Sequence, residues 1–316
     1  MKFFIVLFLF QFAVLFLVES AIYDYYADFP IFLYKNAISL SSASEELFSE
    51  IMSESKFKIV QCLIAISIVI FACLLNLPFI GDEQIWQSGI YILNKYSYLY
   101  ELRCIFYTLD FLFLFSCGLI MIPYINFSIY NTYHIKFQYK LLNAFILKLG
   151  NGERYHINDI RYQERVFRQL KFCIRMQLRI SKISDVGCFP IRCQIIPLTT
   201  FGISIFVCSY FFINSEISPA SNFRMYSILL SWMISLYILC SCVQEVTDET
   251  EKLYWNLCQC HWEDWNNENR GILLLMLVKY GNPWTLSKGF VVNNRLIVKI
   301  YRLGNALVSY FVYTLR

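Results

Sequence analysis

The stretch IVQCLIAISIVIFACLLNL, residues 59–77, has Gln61, Ser67 and Asn76 as its only strongly polar members. At 1.5 Å per residue it is about 28 Å long as a helix, close to the thickness of a bilayer's hydrocarbon core. In lipid an isolated segment satisfies its own backbone only as a helix. The segment therefore reads as a membrane-spanning helix, and it sets the standard for the rest of the chain.

Five further segments approach that standard. Phe3–Val18 is apolar except for Gln11, Ile195–Ile213 is clean, and Met225–Val243 is similar. Leu102–Ile125 spans despite Arg103 and Asp110. Leu296–Leu315 carries Lys299, Arg302 and Asn305, so it must face protein or water rather than lipid alone. The composition fits six passes. Of 316 residues 58% are hydrophobic and 16% charged, against roughly 45–50% and 25% in soluble domains. This argues against a water-soluble enzyme. The 12 cysteines are scattered through apolar and basic stretches and form no secreted disulfide framework.

Basic residues in the connections orient the bundle, because Lys and Arg are retained on the cytoplasmic side. Residues 126–194 hold twelve of them against four acids, whereas 78–101 has only Lys95 and 214–224 only Arg224. This places 126–194 and 244–290 inside and, by parity, 19–58 inside as well, with both termini outside. A signal peptide is the competing reading of the start, from Lys2, the apolar run and the exit Val18-Glu19-Ser20-Ala21. Cleavage there would put the basic connection outside, against the charge asymmetry.

The long connections have helical character. Tyr155–Phe172 keeps Ile157, Ile160, Val166, Phe167 and Leu170 near helical spacing with charges between them. It reads either as a spanning helix prolonged into a cytoplasmic bundle or as an amphipathic helix lying on anionic lipid. Residues 45–58 read as an amphipathic helix feeding the 59–77 span. After Val243 the chain turns acidic and then supplies Trp255, Trp262 and Trp265, which suits packing in that bundle or at the inner interface. The expected fold is an all-α polytopic membrane helical bundle whose long helices extend into a cytoplasmic anchor region. Its divisions are a transmembrane ligand-binding bundle over 1–244, an anchor segment over 245–290 and a terminal pore-lining helix over 291–316.

No catalytic constellation is present. His134, His156 and His261 are far apart in sequence, and Cys258-Gln-Cys260-His261 lacks a second ligand pair at a zinc spacing. There is no phosphate-binding Gly loop, His-Glu-x-x-His helix or nucleophile elbow, and no cofactor is expected. Topology explains the basic connection better than nucleic acid does. Asn126-Phe-Ser128 fits the glycosylation pattern but sits at an inner helix end, where modification is not expected. Asp110, in an aromatic span, is expected to face the bundle as a packing anchor or a ligand contact. On the last helix Arg295, Lys299 and Arg302 share one face with Ser309 and Tyr313 roughly below them, a polar stripe suited to a water-filled pore. The three cations could equally snorkel to the inner leaflet.

The carboxyl-terminal quarter resembles the insect odorant receptor family. The matching pieces are Glu251 with Tyr254 before Trp262, Arg270-Gly-Ile-Leu-Leu-Leu-Met276, Pro283 before Leu286, Gly289 and Ser309-Tyr310. Upstream, Leu77-Pro78 after a span, Asp110 in the next span and the basic connection follow the family order. The resemblance implies an odorant-gated, nonselective cation channel subunit in the plasma membrane of olfactory neuron dendrites. It would assemble as a tetramer with a shared co-receptor, its last helices lining one pore.

By that resemblance Phe71, Phe106, Tyr107, Asp110, Phe211 and Trp232 are candidates for the walls of an outer-half pocket for a small volatile. Val308, Val312 and Tyr313 are candidates for the gate. Family members have seven spans, so Phe3–Val18 would correspond to the second, with the first absent. A truncated or degenerate gene, or an undercounted span, would explain this. A gustatory-type channel subunit is the nearest alternative and a secondary transporter a more distant one.

Overall fold

The computed structural model describes residues 28–39, 43–75, 126–149, 159–213, 219–281, 284–286 and 292–314, and within them all regular structure is helical. Seven α-helices follow in order: α1 (28–36), α2 (Glu45–Leu75), α3 (126–146), α4 (Ile160–Ile213), α5 (Pro219–Cys258), α6 (Asn267–Tyr280) and α7 (Asn294–Thr314). A 3-10 turn, Trp262–Asp264, joins α5 to α6. The expected spans at Phe3–Val18 and Leu102–Ile125 lie outside the described residues.

Among the described residues three helices are long and apolar enough to cross a membrane, within Glu45–Leu75, Ile160–Val207 and Tyr226–Cys258. Each is longer than the segment read from hydropathy. The amphipathic run 45–58 and the apolar run from Ile59 form one helix of 31 residues, with Glu45 and Glu46 in its first turn, where carboxylates complement the helix dipole. The basic stretch near 160 and the apolar stretch 195–213 likewise form one helix of 54 residues. At 1.5 Å per residue α4 is about 80 Å long, well beyond the roughly 30 Å hydrocarbon layer. α7, with its cations, is not among the three.

The apolar part of α2 shows why a bilayer is the natural surround. Ala65, Val69 and Ala72 are buried against the bundle, while Ile59, Leu63, Ile64, Ile70, Phe71 and Leu74 on the same helix are exposed. Such a continuous apolar face would be an aggregation site in water and is ordinary in lipid. Ser67 adds no unsatisfied donor, because its Oγ donates to the carbonyl of Leu63 at 2.8 Å.

α5 is the hub. It packs against α2, α4, α6 and α7, and α4 packs against α6 and α7. The turn before α6 is tied to α4 through Gln163. Its Nε2 donates to the Asp264 carbonyl at 2.8 Å, and its Oε1 accepts from the Asn266 backbone N–H at 2.9 Å. The Asn266 side chain then caps α6 by accepting from Asn269 N–H at 2.9 Å. Of the three indoles expected to pack or to sit at the interface, Trp265 is fully buried. Trp255 and Trp262 remain exposed, and Arg270 stacks on Trp262.

A polar cluster joins α2, α3 and α5 just before the apolar run of α2 begins. Lys58 Nζ lies 2.7 Å from Glu245, and Lys136 Nζ bridges Glu54 and Glu245 at 3.0 Å each. Lys140 pairs with Glu50 at 2.9 Å and also with Glu54. The Tyr133 hydroxyl donates to Glu54 at 3.0 Å, and Lys58 and Lys136 both stand over its ring. Burial by itself would raise the Glu54 carboxyl. The hydrogen bonds and charges of Lys140 and Lys136 together outweigh it and hold the group at about 2. Burial would lower Lys136 and Lys140, but their carboxylate partners raise both above the ordinary lysine value.

These shifts fix the sign of a pH dependence. Glu54 has a depressed folded value, so its contribution is complete above the ordinary 4.5 and fades as pH falls toward about 2. The two lysines contribute fully below their ordinary 10.5 and less as pH rises beyond it. Thermal melting of the detergent-solubilised chain is expected to show a plateau between these limits. In Glu54→Gln the acid-side decline should be visibly shallower; an unchanged acid limb would show that the cluster does not contribute.

Candidate functional site

α7 has two unlike faces. Leu296, Ile300, Gly304 and Val308 recur every fourth residue and are all buried, against α4 and α5. Around the opposite side Arg295, Lys299, Arg302, Ser309 and Tyr313 are exposed, and Tyr313 is 84% exposed. At 100° per residue these five fall within about 80° of one another, centred opposite the buried stripe. The helix is preceded by Asn293, whose Oδ1 accepts from the Arg295 backbone N–H at 3.1 Å. Among the described residues no carboxylate pairs with Arg295, Lys299 or Arg302.

Two glycines let aromatic rings close the buried side. A Cβ built on Gly304 would lie 2.6 Å from the ring of Phe206 on α4, and that ring meets Tyr301 edge to face at 5.7 Å. One turn earlier on α4, a Cβ on Gly202 would lie 1.6 Å from the indole of Trp232 on α5. Small residues permit this close approach where lipid supplies no hydrophobic force to press helices together. Gly202 and Phe206 thus tie α4 to α5 and to α7. Trp232 is 3% exposed, and its Nε1 has no hydrogen-bond partner among the described residues.

The segment leading into α7 is fastened at the same side. Arg192 Nε donates to the Leu286 carbonyl at 2.5 Å, Trp284 Nε1 to Ser184 Oγ at 3.0 Å, and Thr247 Oγ1 to the Trp284 carbonyl at 3.3 Å. α7 therefore hangs from α4 and α5 by its entry segment and its glycine face, and its other face is exposed among the described residues.

The expected pocket residues fare unequally. Trp232 is in the α4–α5 contact and Phe71 faces outward at 54% exposure. Phe211 lies in α4 with its side chain outside the description, and Phe106, Tyr107 and Asp110 lie outside the described residues. A cleft of about 350 Å³ opens elsewhere, between the start of α4 and the start of α6, lined by Ile160, Gln163, Glu164, Phe167, Asn266 and Asn269. The expected gate residues do not share a face: Val308 is buried on the packed stripe, Val312 is half-buried and Tyr313 is open. Arg295, Lys299 and Arg302 are exposed on one side of α7. The aromatic wedges at Gly202 and Gly304 were missed; glycines inside apolar runs were their only signal.

The profile described as 7tm Odorant receptor matches residues 3–298. The chain belongs to the seven-transmembrane odorant receptor family. This receptor is 24% identical over 161 residues to Odorant receptor 46a, isoform B, of Drosophila melanogaster, a match covering 48% of the chain and 40% of that protein. The olfactory receptor OR5 of Machilis hrabei, solved in complex with eugenol, superposes with a TM-score of 0.67 at 12% identity, covering 97% of the receptor and 79% of OR5. A second OR5 structure gives a TM-score of 0.55 at 14% identity, covering 99% and 80%. These likenesses concern the fold. The receptor is a multi-pass membrane protein and not an enzyme. Among its described residues no group of three or more His, Cys, Asp or Glu side chains is placed to hold a metal.

Proposed function

We propose that this receptor is the odorant-binding subunit of a heteromeric, ligand-gated nonselective cation channel in the plasma membrane of olfactory neurons. The observation that carries the reading is the division of α7 into a face wedged against α4 and α5 and a polar face that is exposed among the described residues. Such a helix is completed by copies of itself around water. Four subunits, this chain and its co-receptor, would place Ser309 and Tyr313 in the outer half of a shared pore and Arg295, Lys299 and Arg302 toward its inner mouth. Residues 245–290 would anchor the subunits on the cytoplasmic side.

A volatile bound in the outer half of residues 1–244 acts by preferring the open arrangement; only differential affinity for the two states shifts their populations. The α4 residues Gly202 and Phe206, touching Trp232 and Gly304, supply a rigid connection from the ligand-binding helices to the pore helix. OR5 binds eugenol, and a small apolar volatile is the ligand class for this chain too.

Co-expression with the family co-receptor, with odorant-evoked current recorded across a broad volatile panel, tests the reading. Current that differs from co-receptor alone supports it. Current identical to co-receptor alone, with surface expression confirmed, rejects it. The inner cations oppose cation entry, so Arg302→Gln is expected to raise single-channel conductance on the order of twofold; unchanged conductance would remove Arg302 from the pore.

A further inference from the structure

The exposed side of α4 below its apolar stretch carries a regular seam. Arg161, Arg165, Arg168, Phe172, Arg175, Arg179 and Lys182 follow one another at intervals of four and three residues, and all are exposed. At 100° per residue they fall within about 100° of the helix circumference and extend for about 32 Å along it. Among the described residues only Arg168 has a carboxylate partner, Glu164 at 2.9 Å, and that pair is 77% and 61% exposed and therefore weak. Lys182 stands over the Phe32 ring at 5.6 Å. Among the described residues no carboxylate forms an ion pair with Arg161, Arg165, Arg175, Arg179 or Lys182.

Two physical features limit what this seam can meet. α4 is one helix from Ile160 to Ile213, and Pro190 and Pro197 lie within it without ending it. Its cationic seam therefore continues the axis of a spanning segment and leads away from the bilayer. Arg161 is 34 residues before Ile195, or about 50 Å along the axis, far beyond the reach of lipid headgroups. The second feature is the alternation of four and three, the spacing at which one helix meets another along its length. Phe172, 42% exposed, supplies an apolar contact at the middle of the seam.

We propose that the α4 seam is a docking surface for an acidic helix of a cytosolic partner, with about one carboxylate per turn opposite the cations and an apolar residue opposite Phe172. Charge complementarity supplies steering and register more than affinity. The lower half of α4 would then recruit a soluble protein to the receptor, independently of whether the receptor conducts.

The test uses the full chain in nanodiscs of phosphatidylcholine. The probe is a fluorescent helical peptide of about 21 residues with Glu at the matching intervals and a central Leu; its control is a peptide of the same composition in scrambled order. Binding of the matched peptide should weaken on the order of tenfold between 50 and 300 mM salt and by a similar factor in Arg168→Glu/Arg175→Glu. Phe172→Ala should weaken it severalfold, and the scrambled peptide should bind less. The substituted side chains are exposed, so unchanged gel-filtration and melting profiles establish that the variants are folded. Equal binding of both peptides, or binding indifferent to the charge reversal, overturns the proposal. So does loss of peptide binding when the nanodisc includes phosphatidylinositol bisphosphate, because the seam would then belong to the membrane.

Discussion

Gly202→Ala is expected to destabilise the receptor by about 1–3 kcal/mol, the usual cost of forcing extra atoms into a closed helix contact. The added methyl would lie 1.6 Å from the Trp232 indole, which is 3% exposed and has no free space to enter. The melting midpoint in detergent should fall, and so should the yield of monodisperse protein. Trp232→Leu alone should also destabilise, by leaving a cavity. The two changes together should be less harmful than their sum, because the shorter side chain makes room for the methyl. Strict additivity would mean that the α4–α5 contact is not what the two residues share.

The second large effect is at Lys136. This lysine, with its side chain 11% exposed, holds Glu54 and Glu245 on two different helices. Lys136→Met removes the cation and leaves both carboxylates partly desolvated. Breaking a buried pair in this way costs on the order of 3 kcal/mol. Lys140 still touches Glu54 and Lys58 still touches Glu245, so the loss should be at the lower end and melting should remain cooperative. The double replacement Glu54→Gln/Lys136→Met should recover much of the stability, since Lys58 keeps Glu245 and Lys140 keeps Glu50, so that no unpaired charge is left behind. If the single and double variants melt alike, Glu54 and Lys136 do not act as a unit.

Much of this was legible in the chain. Residues 59–77 read as a span because apolar length is a local property, and the stripe of Arg295, Lys299 and Arg302 was visible because helical periodicity alone places it. The two readings of Tyr155–Phe172 could not be separated by periodicity. From Ile160 onward the stretch belongs to a single helix continuing to Ile213, a continuity that periodicity over eighteen residues does not contain. The partners of Lys58 and Lys136 were hidden for a different reason. Glu54 is four residues before Lys58, but Lys58 pairs with Glu245, 187 residues away, and nothing local distinguishes such a pair from a lysine at a membrane entry. The packing of Val308 was not legible either, since spacing does not say which side of the last helix its neighbours cover. Its neighbour Ser309 points away from the bundle, while Val308 itself is on the buried stripe.

That contrast at one depth gives the most direct measurement on the pore. Ser309→Cys and Val308→Cys, each co-expressed with the co-receptor, would be exposed to a membrane-impermeant thiol reagent during odorant-evoked current, with the unsubstituted chain as the baseline for its native cysteines. Current is expected to be lost rapidly and irreversibly for Ser309→Cys and to stay at baseline for Val308→Cys. Modification of Val308→Cys with Ser309→Cys left untouched, or of neither while current flows, would contradict a pore lined by the open face of α7.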